Sequence, residues 1–470
     1  MSTDDDPSTP LLDDQHADDS NGITVQEKIK ITEALLPCST TRQNGGRGSA
    51  STSIDTVQTT SCQEEICIYH VPEKIRRVNS HAYDPQVICI GPIHQEKEVE
   101  FMKKLKGAYF DQFLNRLPEE KRAVLQQGLE STIKDCVDEI RKCYADDFSL
   151  DEKPFLKMIK CDAVFILELF LKTGEYERDG NKSQDGNKYD YIIGNPWREN
   201  AVQLDLILLE NQLPFFILDK LYKIATIHIK PAGCCCFLEL ACQYFKKYGK
   251  KETNPHKILH FTDLVRFFLS SGHPCADSST QNTCCKRATR LEEAGMKFKP
   301  MEDACLLDIK AWSGGQEREG IKEGELHIPI LEIDEYTECL LRNLMALEQC
   351  HFPNEAYICQ YANFLDSLVD NDKDADLLIE SKVIINRLGE SAAVAKLINN
   401  LCRNIIVITN EVPSCYNSLA KELNDYSDIW YNQIKAYLRR HFFRNVVAGT
   451  ATVVGLIVLI IKIVKFSRSF

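Results

Sequence analysis

The 470 residues contain no GxSxG elbow, no Walker-type GxxxxGK loop ending in Ser or Thr, no GxGxxG following a strand and no HExxH pair. Several common enzyme classes are thereby excluded, among them nucleophile-elbow hydrolases, P-loop nucleotidases and HExxH metalloproteases. The opening MSTDDDPSTPLLDD also lacks a basic segment leading into an apolar one, so no secretory leader is expected. Positive charge is in deficit: the formal net charge is −13, and residues 61–438 by themselves carry about that value. A body of that sign does not suit nucleic-acid binding, which begins by neutralising phosphates, and no nucleic-acid partner is expected.

Cysteine is plentiful, at 20 residues, but its spacing is not that of a disulfide scaffold. Cys136, Cys143, Cys242 and Cys402 sit singly on apolar faces, and Cys234, Cys235 and Cys236 run together. They read as small core residues of a protein in a reducing compartment. Cys275, Cys284 and Cys285, with His273, fall in a polar stretch without the paired CxxC spacing of a zinc site. Neither a metal nor a cofactor is expected.

Three regions follow from composition. Residues 1–60 carry ten acids and four bases with one modest apolar patch, ITEALL, and are expected to form a disordered acidic tail. Residues 61–438 read as a single mainly helical domain, and residues 439–470 as a basic-flanked membrane anchor. Within the domain, ICIYHVPEKIRRVN and PQVICIGPIH give short β-prone pieces bounded by prolines. Helical spacing then dominates. Met102, Leu105, Tyr109, Phe113 and Leu117 form one stripe, and a second helix is expected from Glu152 to Lys172 with Phe155, Met158, Ile159, Phe165, Ile166 and Leu169 on one face. Thr173 to Tyr191 reads as a polar surface insertion. Helices are also expected from Pro214, around Tyr361–Val369, over Ala392–Cys402 and from Ser414. MKFKP, ACLLDIKAW and ELHIPILEID suggest a small antiparallel β ribbon, so the fold class is mainly α (α+β) with one C-terminal transmembrane helix.

The run DLILLENQLPFF, residues 205–216, places Glu210, Asn211 and Gln212 in an apolar setting. Asp162 shares the apolar face of its predicted helix, and Glu348 shares that of Leu341, Leu344 and Met345. An ionised carboxylate is costly to bury unless it is paired or hydrogen-bonded. Two readings are open. As a pair in an open cleft, roughly 5 to 9.5 Å apart, such acids could hydrolyse a glycosidic bond. As polar core contacts they would meet Arg76, Arg77, Arg141, Arg342 or Asn211 and fix how helices pack, which is the favoured reading.

Residues 446–464, from Val446 to Val464, read VVAGTATVVGLIVLIIKIV. Nineteen helical residues span roughly 28 Å, close to the hydrocarbon thickness of a bilayer. Lys462, the one charge, lies near enough to the end to snorkel. Arg439, Arg440 and Arg444 before the span balance Lys462, Lys465 and Arg468 near its end, so charge gives no orientation. The expectation is a single-pass tail anchor with the body facing the cytosol. Ala448, Ala451, Thr452 and Gly455 offer a small-residue face for self-association.

Several ordered motifs carry a family resemblance: VPEKIRRVNSHAYDPQVICIGPIH from Val71, MKKLKGAYFDQFL, IRKCY, MIKCDAVFILELF, DLILLENQLPFFILDKLY, EEAGMKFKP, LHIPILEID and LLRNLMALEQC. Together the chain resembles the plant family catalogued as domain of unknown function 247, over about residues 66–464. It departs at Ile93, where the family more often has tyrosine, and at Ala163, where glycine is usual. The resemblance implies a mainly helical, membrane-associated protein and brings no catalytic residues with it. The expected function is accordingly that of a plant membrane-anchored, non-enzymatic interaction or regulatory protein with unknown protein partners; the alternative is a hydrolase using Asp162, Glu210 and Glu348.

Overall fold

A computed structural model describes residues 66–148, 150–180, 190–229, 236–249, 257–270, 283–302, 304–312, 324–406, 414–429, 432–434, 454–455, 457–462 and 465. The expected tail over residues 1–60 lies outside these, as do His273, Cys275 and both ends of the expected span, Val446 and Val464.

The first half is helical: α1 (Glu73–Arg76), α2 (Glu100–Asn115), α3 (Glu119–Asp135), α4 (Val137–Lys142), α5 (Glu152–Arg178), α6 (Pro196–Asp205), α7 (Phe215–His228), α8 (Phe237–Tyr244) and α9 (Phe261–Ser270). Helix α5 is the axis of this group and packs against α2, α3, α7 and α8. Its middle, from Asp162 to Leu171, is buried on every side, because neighbours surround it. The second half follows with α10 (Ala288–Ala294), β1 (Lys297–Met301), β2 (Lys310–Trp312), β3 (Glu325–Pro329), β4 (Leu331–Ile333), α11 (Thr337–Cys350), α12 (Tyr357–Leu368), α13 (Asp372–Glu380), β5 (Ile384–Asn386), α14 (Ser391–Leu401) and α15 (Asn417–Asp428). Helix α11 meets α9 from the first half as well as α12 and α14, and one continuous apolar core runs from Cys67 to Tyr426.

Local signals account for several starts. Asn195 accepts from the Arg198 amide with Pro196 in the first turn, and Asn371 and Asp374 form a reciprocal capping box at α13. Pro214 stands immediately before α7.

The expected polar insertion is shorter than its composition suggested. Helix α5 continues to Arg178 because Arg116 binds both Glu168 and Glu175 at 2.6 Å, and Lys246 holds Glu177 at 2.7 Å. The expected antiparallel ribbon is corrected too. In the three-stranded sheet, β1 pairs parallel with β3 and β2 pairs antiparallel with β3, while β4 pairs parallel with β5. Strand direction depends on which segment returns to pair, and β5 arrives only after three helices; alternation within a strand carries no such information. The β-prone pieces after Ile66 also differ. Ile68 makes an isolated bridge with Tyr144, Glu73–Arg76 is helical, and residues 86–91 belong to no strand.

Among the described residues no helix is long and apolar enough to cross a membrane. Residues 454–455 and 457–462 of the expected span are helical, and Ile457 to Ile461 are exposed.

Aromatic packing anchors α5 to α8 and α9. The buried Phe170 ring lies 4.1 Å from that of Tyr244 and 5.4 Å from that of Phe261, centre to centre. Phe170→Ala should cost about 3–5 kcal/mol and lower the thermal unfolding midpoint clearly; an unchanged midpoint would contradict this packing role.

Candidate functional site

Within residues 67–91, Cys67 and Ile68 bond to the backbone of Cys143 and Ala145 and Glu73–Arg76 is α1, but the buried stretch Val87–Gly91 belongs to no strand or helix. Its peptide groups therefore need side-chain partners. Asp205, at the C-terminal end of α6, accepts from the amides of Gln86, Val87 and Ile88 at 2.8, 2.6 and 2.8 Å. Asn211 does what a neighbouring strand would do: its Oδ1 accepts from the Ile90 amide at 2.6 Å, and its Nδ2 donates to the Ile88 carbonyl at 2.9 Å.

Asp162, midway along α5, accepts from the Gly91 amide at 2.9 Å and binds the buried Lys106 ammonium. Lys106 also donates to the Cys89 carbonyl at 2.5 Å and pairs with Glu98. Burial works against the Lys106 charge, but Asp162 and Glu98 outweigh it and raise its pKa. Gly91 has φ +71°, and a Cβ there would lie 2.5 Å from the Gln212 carbonyl oxygen. Only a residue without a side chain meets both demands.

Glu210 holds the neighbouring turn. It accepts from the Val71 amide at 2.7 Å, pairs with Arg76, and lies 3.3 Å from Nε2 of His94 and 3.4 Å from Nδ1 of His70. Burial alone would raise its pKa; His70, His94, Arg76 and the Val71 amide together hold it well below the ordinary carboxylate range. The hydrogen bond to Glu210 in turn raises the pKa of half-exposed His70, against the opposing effect of burial. Gln212 donates to the carbonyls of Leu206 and Leu208 at 2.7 Å each and accepts from the Phe261 amide at 3.0 Å.

The second half contributes the same way. Asn343 of α11 accepts from the Leu209 amide at 3.0 Å and donates to the Ala82 carbonyl at 2.7 Å. His260 is fully buried, and burial lowers its pKa to about 3, so the ring is neutral. Its Nε2 lies 3.0 Å from the Cys67 carbonyl, which can only accept, so the proton is assigned to Nε2. Glu348 takes the amides of Ile358 and Cys359 at 3.0 and 2.8 Å and Nε of Arg266 at 3.2 Å.

Asp162, Glu210 and Glu348 are each at most 2% exposed, and each has its own cation and amide partners. They do not form a pair in an open cleft, so the geometry required for glycoside hydrolysis is not met at these acids. Of the arginines suggested as partners, Arg76 reaches Glu210. Arg342 instead binds Glu338 at 2.7 Å and the Asn400 carbonyl at 3.1 Å, Arg77 pairs with Glu73, and Arg141 donates to the carbonyls of Phe148 and Leu150.

The sequence patterns do not single out Asp205, Lys106, His94, His260, Arg266 or Asn343. One signal was available: Met102, Lys106, Tyr109 and Phe113 follow helical spacing, and Lys106 rather than Leu105 lies on the fully buried face of α2. Among the described residues there is no cluster of three or more His, Cys, Asp or Glu able to hold a metal.

A family model described as plant protein of unknown function matches residues 68–461. UPF0481 protein At3g47200 of Arabidopsis thaliana is 29% identical over 420 residues, covering 82% of this chain and 82% of that relative. A second Arabidopsis thaliana UPF0481 protein, At3g02645, is 25% identical over 115 residues, covering 24% of this chain and 20% of its own. No solved structure matches.

Two substitutions check the network. Gly91→Ala should cost roughly 3 kcal/mol through the positive φ and the close carbonyl, seen as a lowered unfolding midpoint; a midpoint equal to the wild type would contradict the tight approach. Glu210→Gln should cost roughly 3 kcal/mol near neutral pH by removing the buried charge that faces Arg76, whose other charge partner, Asp84, lies at 3.6 Å. Because the folded Glu210 pKa is depressed, its contribution is present above the ordinary glutamate value of 4.5 and fades as the pH falls below it. The deficit of the variant should therefore shrink in acid, and a deficit constant from neutral pH down to strongly acidic solution would rule out this charge-based role.

Proposed function

The chain belongs to this plant family of unknown function, and from that premise we propose that it is a membrane-anchored, non-enzymatic interaction or regulatory protein. The observation that carries the reading is the consecutive helical run Ile457–Ile461, whose apolar side chains are each between 46% and 58% exposed. Side chains of this kind are favourably removed from water, and a bilayer supplies the apolar surroundings. The sixteen uncharged residues from Val446 to Ile461 extend the run to spanning length, with basic residues toward both ends. The occupied carboxylates support the non-enzymatic part, because each already serves the backbone or a cation.

In this reading residues 446–464 are the anchor, the body faces the cytosol, and the partners are the lipid bilayer and other proteins. The small residues Ala448, Ala451, Thr452 and Gly455 favour pairing of two anchors. Full-length protein expressed in plant cells should stay with membranes through carbonate extraction, and removal of residues 446–470 should move it to the supernatant. Retention of the truncated protein as an integral membrane component would overturn the anchor, and a full-length protein found in the soluble fraction would do so as well.

A further inference from the structure

A groove of about 550 Å³ opens on the body between α3 and α5. Its charge runs against that of the body: Lys134 comes from α3, and Lys153, Lys157 and Lys160 from α5. The three lysines of α5 fall at i, i+4 and i+7, so they share one helical face and extend roughly 10 Å along the axis. Lys160 is committed to Glu130, the one acid lining the groove, and its ammonium lies 5.5 Å from the Phe110 ring centre. Lys134, Lys153 and Lys157 have no ion-pair or hydrogen-bond partner among the described residues. Ile133 and Leu156 supply apolar wall.

We propose that this groove binds a multiply phosphorylated small molecule or headgroup of the inositol-phosphate type. The volume is that of a small-ligand site. Lysine ammoniums act as point charges for phosphate, and a cleft lined with one sign of charge concentrates the opposite ion even on a protein of net negative charge. Two uncommitted lysines about 6 Å apart along α5, Lys153 and Lys157, with Lys134 contributed from α3, match a ligand carrying several phosphates better than one carrying a single phosphate. The proposal stands apart from the membrane reading, since the groove lies on the folded body and takes a soluble probe.

The test uses full-length protein in detergent, titrated by calorimetry with inositol hexakisphosphate, with inorganic phosphate and with a short-chain phosphatidylinositol bisphosphate alongside its free headgroup. Saturable binding of the hexakisphosphate is expected, weakened about tenfold or more in Lys153→Ala/Lys157→Ala, which corresponds to about 1.4 kcal/mol or more. Lys103→Ala/Lys104→Ala removes the same charge from exposed positions of α2 that do not line the groove and should bind as the wild type does. All four lysines are exposed, so unfolding midpoints should be unchanged in both variants. Tighter binding of the lipid than of its headgroup would assign a membrane source for the ligand, and equal binding a soluble one. Absence of saturable binding, or equal loss in the two double variants, would overturn the site.

Discussion

Buried peptide groups without a strand or helix to pair with must find their hydrogen bonds in side chains, and those of Val71, Ala82 and the stretch Val87–Gly91 are in that position. Leaving a buried amide or carbonyl without a partner costs about 1–3 kcal/mol, so several orphaned groups would rival the net stability of a domain. The chain meets the demand with Asp205, Asn211, Asp162, Glu210, Asn343 and His260. The halves built around α5 and α11 thus grip one shared segment, and its conformation depends on both.

The acids of this network differ in how their charge is balanced. Asp162 has a buried ammonium beside it, and Glu210 has a guanidinium and two imidazoles. Asp205 has three amides; burial raises its pKa to about 7, while the hydrogen bonds from Gln86, Ile88 and Val87 pull the other way. A raised folded pKa means that this group favours the folded state less as the pH climbs from the ordinary aspartate value toward 7. Glu210 acts in the opposite sense. Half-exposed His70, bridging Glu210 and Asp146, is where this buried network meets solvent.

The same geometry separates structural acids from working ones. A general acid or base must reach a reacting group, whereas the oxygens of Asp162, Glu210 and Glu348 are enclosed and directed at amides and cations of the protein itself. The functional reading therefore moves outward, to surfaces whose groups are still uncommitted: the apolar helical run at Ile457–Ile461 and the lysine-lined groove between α3 and α5. Both are places where the folded chain leaves interactions unmade.

The sequence by itself determined the helical character, the stripes of α2, α5 and α11, the apolar setting of Asp162, Glu210 and Glu348, and the family motifs. These are legible because helical periodicity is local and repeats every few residues. It also marked Pro214 as a helix start, since proline restricts its own backbone. Tertiary structure alone decided that Asp205 and Asn211 stand in for a strand, that Lys106 rather than Arg342 meets Asp162, and that β1 and β3 run parallel. Those outcomes join residues separated by 28 to 123 positions. No local pattern specifies such a partner; it is selected when burial leaves each polar group with few donors or acceptors within reach.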